Sequence, residues 1–523
     1  MNQSEKQNVS KVAKNTLLAG FGSIMGYVML PLTSVITTRV LGAELFGIYS
    51  LVQSWGSLLA NISSLGLNGT NLRFIPTYKA LNDNSKIKGS IYWTLKVTSV
   101  VGISLTFFIL IFPAEFCGLF IHRPALVSED TFELTIVPAF RFYAVSIFIT
   151  SLYLVFISSL NGLQEIKYKV LSNEIVGSLA KIISLILFIY LGWDLYAALG
   201  SNIVQDIIIF CFSFLFLLKT FPAIRDPDIK AVYEKRKMNK FAAALFSKSI
   251  LSNYTFQLDI LILGFFSIAR DVGIYTVALR LQPLIYLPYY TIKTIFDPMV
   301  AELYAGNKIE EIGNLYKTVT HWAFSLSLPI FATIVLYSNE ILNIFGKDFT
   351  DGMLLLLILS VGNLVNNMSG LSGNMIMMIG KINVNLTNSV IMAFVNAGLY
   401  YFLIKYYGII GAALGNCFSL IILNTLTLFQ VRHFLGFFPF KKSLLKPLTS
   451  LIVSILFTEG CRFAYQLPYY EFTFIFYVIV LWVTYVIGLF LLKLDKEDIY
   501  VIKKIAVKFP FIRKILPESY RLE

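Results

Sequence analysis

Charged residues are scarce in this chain: Asp, Glu, Lys and Arg make up 14% of its 523 residues, against about a quarter in an ordinary soluble domain. That shortage excludes a soluble globular protein, because too little polar surface remains to keep a 57% apolar chain in water. Cysteine is scarcer still. Cys117, Cys211, Cys417 and Cys461 stand far apart without a CxxC spacing, which excludes a disulfide scaffold and a thiol-based metal or redox centre. The only histidines, His122, His321 and His433, are too scattered for a metal cluster. GxxxxGK[ST], HExxH and GxSxG are all missing, and no soluble stretch is long enough for a nucleotide-binding domain. Direct ATP coupling and the common hydrolase chemistries are therefore not expected. Nor is there the strand-like alternation of a β-barrel.

What is present is apolar sequence in long runs, with 45 Phe and 29 Tyr. A bilayer core takes about 20 apolar residues as a helix. Fourteen stretches qualify, at about 17–40, 46–70, 89–112, 134–160, 170–191, 196–219, 241–265, 272–298, 316–337, 352–378, 383–404, 409–431, 447–467 and 471–492. The expected fold is an all-α polytopic membrane protein. The second and tenth stretches are the most polar. Asn61, Asn68 and Asn71 in one, and Asn363, Asn366, Asn367 and Asn374 in the other, suit a helix interface or a wet cavity better than a lipid face. The N-terminal MNQSEKQNVSKVAKN is polar and basic, and the span after it is too long for a signal-peptide core, so it reads as an uncleaved first helix. When the spans alternate, most Lys and Arg fall on the side of the N-terminus. The positive-inside rule then places both termini and the basic connection 219–240 in the cytoplasm of a plasma-membrane protein. The net charge of +13 becomes a matter of topology and contact with anionic lipid, and gives no reason to expect nucleic acid. From Asp495 onward, Ile499, Ile502, Ile505, Phe509 and Ile512 alternate with basic residues. The tail reads either as an interfacial amphipathic helix broken at Pro510 or as a plain basic tail.

The chain also repeats itself. VLGAELFGIYSLVQ, around Gly47-Ile48-Tyr49, returns as SIARDVGIYTVALR, around Gly273-Ile274-Tyr275. A later stretch beginning at Gly162 has its counterpart beginning at Gly380, and Ala197-Ala198-Leu199-Gly200 matches Ala412-Ala413-Leu414-Gly415. Two matched stretches in the same order indicate duplication. A unit of six spans is even, so the halves share one orientation, as in transporters whose repeats are related by an axis along the membrane normal. The expected organisation is an N-lobe over 1–220, a basic linker over 221–240, a C-lobe over 241–433, two added helices over 434–492 and a cytoplasmic tail over 493–523.

These segments, together with NTLLAGFGSIMGYVMLPLTSVITTRVLGAELFGIYSLVQ, Arg73-Phe74-Ile75-Pro76 and the GLQ and AALG arrangement, resemble the polysaccharide-transporter branch of the multidrug/oligosaccharidyl-lipid/polysaccharide exporter superfamily. The resemblance implies a Wzx-type flippase for polyprenyl-diphosphate-linked oligosaccharide. Such a protein is a secondary-type transporter and not an enzyme. It would work by alternating access beside a polysaccharide polymerase or glycosyltransferases. Sister branches keep an ion-coupled drug exporter open as an alternative. A membrane polymerase or glycosyltransferase is a further one, although the longest outer loop, about 113–133, carries no catalytic cluster. No cofactor is expected, and the coupling ion, proton or sodium, stays open.

Charges inside spans are the informative residues, since each costs roughly 2.5–3.5 kcal/mol on insertion scales and marks a cavity or an ion pair. Lys181 and Asp206 fall near the midplane of adjacent spans and read as a substrate or proton site, or as a buried ion pair. Lys248 and Asp259 share one face of span seven, being eleven residues apart. In the resemblance, spans one, two, seven and eight line the cleft. Arg280 on span eight then reaches the depth of Asp259, where its fork of donors would meet the substrate diphosphate or pair with that acid. Lys293 and Asp297 read as a surface pair. Arg73 and Arg141 near inner span ends, and Arg39 at an outer end, read as phosphate contacts or as snorkelling side chains. His321 is a candidate proton carrier or a satisfied interface histidine. Gly20, Gly22, Gly26 and Pro31 in span one, and Pro283, Pro288 and Pro298 in span eight, mark helices that bend, in motion or statically.

Overall fold

A computed structural model describes residues 3–120, 132–253, 257–465, 473–495 and 497–499. Every regular element among them is helical, as a backbone without water to satisfy its polar groups requires. In chain order the α-helices longer than four residues are α1 Gln3–Ser63, α2 Leu67–Ala80, α3 Asn84–Ile111, α4 Pro113–Phe120, α5 Val137–Gly162, α6 Ser178–Tyr190, α7 Leu195–Thr220, α8 Lys235–Asn253, α9 Leu258–Phe266, α10 Ala269–Ala305, α11 Ile309–Leu336, α12 Ser338–Phe345, α13 Met353–Met368, α14 Ser372–Met378, α15 Ile382–Leu435, α16 Leu445–Tyr465 and α17 Thr473–Leu491. A π-helical stretch, Val170–Gly177, precedes α6. Ten of the described helical segments are long and apolar enough to cross a bilayer, so the chain is a multi-pass membrane protein.

Two of the predicted turns shrink to one residue. The α1 assignment runs from span one into span two through Gly42, at φ 67° and ψ −178°. Only glycine adopts that backbone cheaply, so the break is written into the sequence. The α15 assignment joins spans eleven and twelve in the same way at Gly408.

The helices cluster into two compact units. The first comprises Met1–Pro283, Leu342–Leu359 and Ile382–Ser419, and the second Leu284–Ile341, Ser360–Lys381 and Leu420–Glu523.

In the first unit, α5 packs against α1, α2, α3 and α7. Phe74, Ile75, Ile91, Phe156, Leu160 and Leu217 form the core at one end, continued by Ile224 and Met238 from the basic connection. That connection is laid down as a strap. The Val232 amide donates to the Ser85 carbonyl (3.0 Å). Lys88 donates to the Asp226 carbonyl (2.6 Å), and the Tyr92 hydroxyl to that of Ile224 (2.8 Å). Gly89 lets the Val232 carbonyl pass where a Cβ would collide. Glu234 gathers Lys237 (3.1 Å), the Tyr78 hydroxyl (3.0 Å) and Lys86 (3.5 Å), with Lys237 first among the partners that hold its carboxyl below the ordinary range.

At the other end of this unit the two Gly-Ile-Tyr repeats cross each other. A Cβ on Gly47 would strike the Ala269 carbonyl oxygen, and one on Gly273 would strike that of Ala43. The contact is reciprocal between the two repeated segments. Around it, Arg39 donates to the carbonyls of Ile344 (2.8 Å) and Asn343 (2.7 Å), Arg270 pairs with Asp351 (2.7 Å), and Phe46 meets Phe349 edge-on.

In the second unit, Phe324, Leu328, Leu451, Leu481 and Tyr485 of α11, α16 and α17 form the core. The asparagines of span ten lie inside it as interface glue. Asn367 donates to the Ile285 carbonyl (2.8 Å), next to the turn that Pro288 deprives of a donor. Asn366 accepts from Asn424 (3.0 Å), and Asn374 donates to Asp297 (2.9 Å). The turn after α17 is pinned by Asp495 to Lys446 (2.7 Å), by Glu497 to Lys441 (2.9 Å) and by Asp498 to the Trp322 indole (2.6 Å). Lys441 keeps the Glu497 carboxyl below its usual range. The predicted basic tail lies outside the described residues from position 500 on.

Candidate functional site

Arg280 projects from the first half of α10 and is half-buried. Its guanidinium donates to Ser34 Oγ (2.7 Å) and to Gln53 Oε1 (3.1 Å), both on α1. The carbon of the guanidinium lies 4.9 Å from the Phe46 ring and 5.8 Å from the Tyr49 ring, within cation–π range. The expected pair with Asp259 is not formed. Asp259 is fully enclosed and accepts from the Tyr275 hydroxyl (2.7 Å) and from the Ile260 amide (2.8 Å). Similar depth on neighbouring spans did not mean a shared face, because the azimuth of α9 turns its acid toward Tyr275.

Lys181 and Asp206 also part company. Lys181 Nζ donates to the Tyr49 hydroxyl (3.3 Å), which also accepts from Asn202 Nδ2 (2.9 Å). Asp206 accepts from Ser146 and from Thr150 (3.1 Å), both on α5. Among the described residues no ion pair joins the two. The hydroxyls of α5 are closer and satisfy the carboxylate with less cost than a buried ion pair. Lys293 and Asp297 are likewise not within ion-pair distance, because Asp297 is taken by Asn374.

The other predicted residues are scattered. Arg39 caps the carbonyl end of α12, where a cation suits the helix dipole. Arg73 is exposed and stacks 4.3 Å over Phe241, beside the strap. Arg141 is exposed on α5. Lys248 lies on α8, with its side chain outside the described residues. His321, in the second unit, is buried with Nε2 3.8 Å from Asp498 and is tied to the tail turn.

What comes together in the first unit is thus Arg280, Lys181, Tyr49, Asn202, Gln53 and Ser34. The last four were missed as site residues. Tyr49 did carry a signal, since it belongs to the repeated Gly-Ile-Tyr, and its twin Tyr275 holds Asp259 as Tyr49 holds Lys181. Glu174 was missed as well. It sits on the π-helical stretch with its side chain against Gly22 and Gly26 of α1.

The described residues thus form a multi-pass helical membrane protein in which Arg280 and Lys181 rest on neutral partners. It belongs to the family described as "Polysaccharide biosynthesis protein", which matches residues 12–303, within the multidrug/oligosaccharidyl-lipid/polysaccharide exporter superfamily. The MatE family matches 244–402. The chain is similar to an uncharacterized membrane protein of Methanocaldococcus jannaschii, 23% identical over 391 residues that cover 72% of this chain and 75% of that one. It is similar to the probable low-salt glycan biosynthesis flippase Agl15 of Haloferax volcanii, 23% identical over 252 residues, 48% of this chain and about half (52%) of the relative. Its fold is that of the lipid II flippase MurJ in an inward closed conformation, with a TM-score of 0.70 at 16% identity over 90% of this chain and 97% of the other.

Proposed function

We propose that the chain is a flippase that carries polyprenyl-diphosphate-linked oligosaccharide from the cytoplasmic to the outer leaflet by alternating access, for cell-surface polysaccharide assembly. The observation that carries this reading is Arg280, a half-buried guanidinium whose hydrogen bonds go to a serine and a glutamine. An unneutralised cation in such a place is expensive, and a phosphate offers it charge and a matching fork of acceptors. Ser34 and Gln53 lie in the first half of the chain and Arg280 in the second. A diphosphate that takes the guanidinium from them loosens a tie between the halves, which is the differential interaction that switching requires. The headgroup crosses through the polar interior while the lipid tail stays in the bilayer. The matching organisation is fourteen spans in two six-span lobes, 1–220 and 241–433, with two added helices and both termini cytoplasmic. Asp206 and Asp259 are the enclosed carboxylates available to a coupling ion, and the strap and tail lie against anionic lipid. A cationic-drug exporter fits less well, because the binding charge is positive.

Arg280→Ala is expected to abolish polysaccharide export while the protein still reaches the membrane. Arg280→Lys keeps the charge without the fork and retains part of the activity. Normal export by Arg280→Ala removes the arginine from the mechanism.

A further inference from the structure

We infer that Tyr49 is a positioning residue that holds Lys181 beside Arg280 as the second half of one anion site, so that the site takes a diphosphate in preference to a monophosphate. This rests on the reading that Arg280 meets the phosphate of a lipid-linked substrate.

Tyr49 is 1% exposed, and its hydroxyl receives two donors, Lys181 Nζ at 3.3 Å and Asn202 Nδ2 at 2.9 Å. Its ring and that of Phe46, whose centroids are 5.7 Å apart, line the guanidinium of Arg280. Two cations from different halves of the sequence therefore converge on one phenol. The acid that each was expected to pair with is turned elsewhere, Asp206 to Ser146 and Thr150, Asp259 to Tyr275. A buried ammonium and a half-buried guanidinium, both on neutral partners, are a standing electrostatic deficit, which an anion between them fills.

One guanidinium fork accounts for one phosphate. A second phosphate needs a second cation, and Lys serves phosphate as a point charge. The lysine stem is flexible, so something must hold its ammonium in place. The Tyr49 hydroxyl does so, and Asn202 fixes the hydroxyl. Without it, the flexible stem leaves the ammonium free to turn away. The duplicated twin shows the same device with opposite sign, for Tyr275 holds an acid where Tyr49 holds a base.

The experiment titrates the purified full chain with inorganic pyrophosphate and with orthophosphate in a calorimeter. The wild type is expected to prefer pyrophosphate by about 10-fold or more, the usual scale for one added charge-assisted contact. Tyr49→Phe keeps the ring under Arg280 and is expected to bring the ratio near one by weakening pyrophosphate binding more than orthophosphate binding. Lys181→Gln should do the same, and Lys181→Arg should restore the preference. The lysine pair carries the test if Tyr49→Phe does not purify as a single species. A preference that survives in Tyr49→Phe or in Lys181→Gln overturns the role of Tyr49 and leaves Arg280 standing. A wild type without preference overturns it equally. Unchanged binding of both anions in Arg280→Ala overturns the proposed function itself.

Discussion

Asp259 and Tyr275 share a hydrogen bond of 2.7 Å with both residues at 1% exposure or less. Removing the carboxylate leaves the phenol only the longer contact to the Ala412 carbonyl (3.4 Å), at a cost of about 1–3 kcal/mol. Asp259→Ala is therefore expected to lower the unfolding midpoint in detergent clearly, and Asp259→Asn, which keeps an acceptor, much less. Because Arg280 has partners of its own in Ser34 and Gln53, Asp259→Ala and Arg280→Ala should add within about 0.5 kcal/mol in a double-mutant cycle. A coupling well above that would reinstate the pair expected from depth alone. Neighbouring hydroxyls and an amide took the carboxylates of Asp206 and Asp259, and a phenol, a serine and a glutamine took the cations Lys181 and Arg280.

At the scale of elements, the sharpest constraint is the crossing of the two Gly-Ile-Tyr segments. Gly47 and Gly273 each press against the other segment's backbone, at Ala269 and Ala43, so a methyl group has nowhere to go. Gly47→Ala and Gly273→Ala should each destabilise by about 1–3 kcal/mol, as overpacking does. Gly398 on α15 has open space around its Cβ direction and an ordinary backbone. There Gly→Ala should stabilise by up to about 1 kcal/mol through helix propensity. Thermal unfolding of the three variants gives opposite signs on this account, and equal effects would show that the crossing is loose. The same economy explains span ten. Its asparagines looked out of place in an apolar run, and they satisfy the Ile285 carbonyl near Pro288 and the amide of Asn424 on α15.

Over the whole molecule, charge and topology make one claim. The strap carries Arg225, Lys230, Lys235, Arg236, Lys237 and Lys240, all exposed, and a cytoplasmic leaflet rich in anionic lipid attracts such a surface. A single cysteine placed at Lys230 should react with an impermeant thiol reagent in inside-out vesicles and not in intact cells. Labelling from outside would reverse the topology. It would also put the Gly47–Gly273 crossing and the Arg39 and Arg270 contacts on the cytoplasmic side, and with them the sense in which the halves are tied.

The sequence by itself determined the membrane class, the helical fold, the internal duplication, the approximate breaks between spans one and two and between spans eleven and twelve, and which residues bear charge inside spans. These depend on composition, on runs longer than a bilayer and on backbone angles that glycine alone takes cheaply, all of which are local. Order along each span was legible too, since a helix rises about 1.5 Å per residue. Who faces whom was not. Partnership depends on the rotation of each helix about its own axis and on competition among all polar groups within reach, and packing settles both. That is why Lys181 met Tyr49 in place of Asp206, why Arg280 met Ser34 and Gln53 in place of Asp259, and why a basic stretch that read as a linker lies pinned across α3 through Gly89.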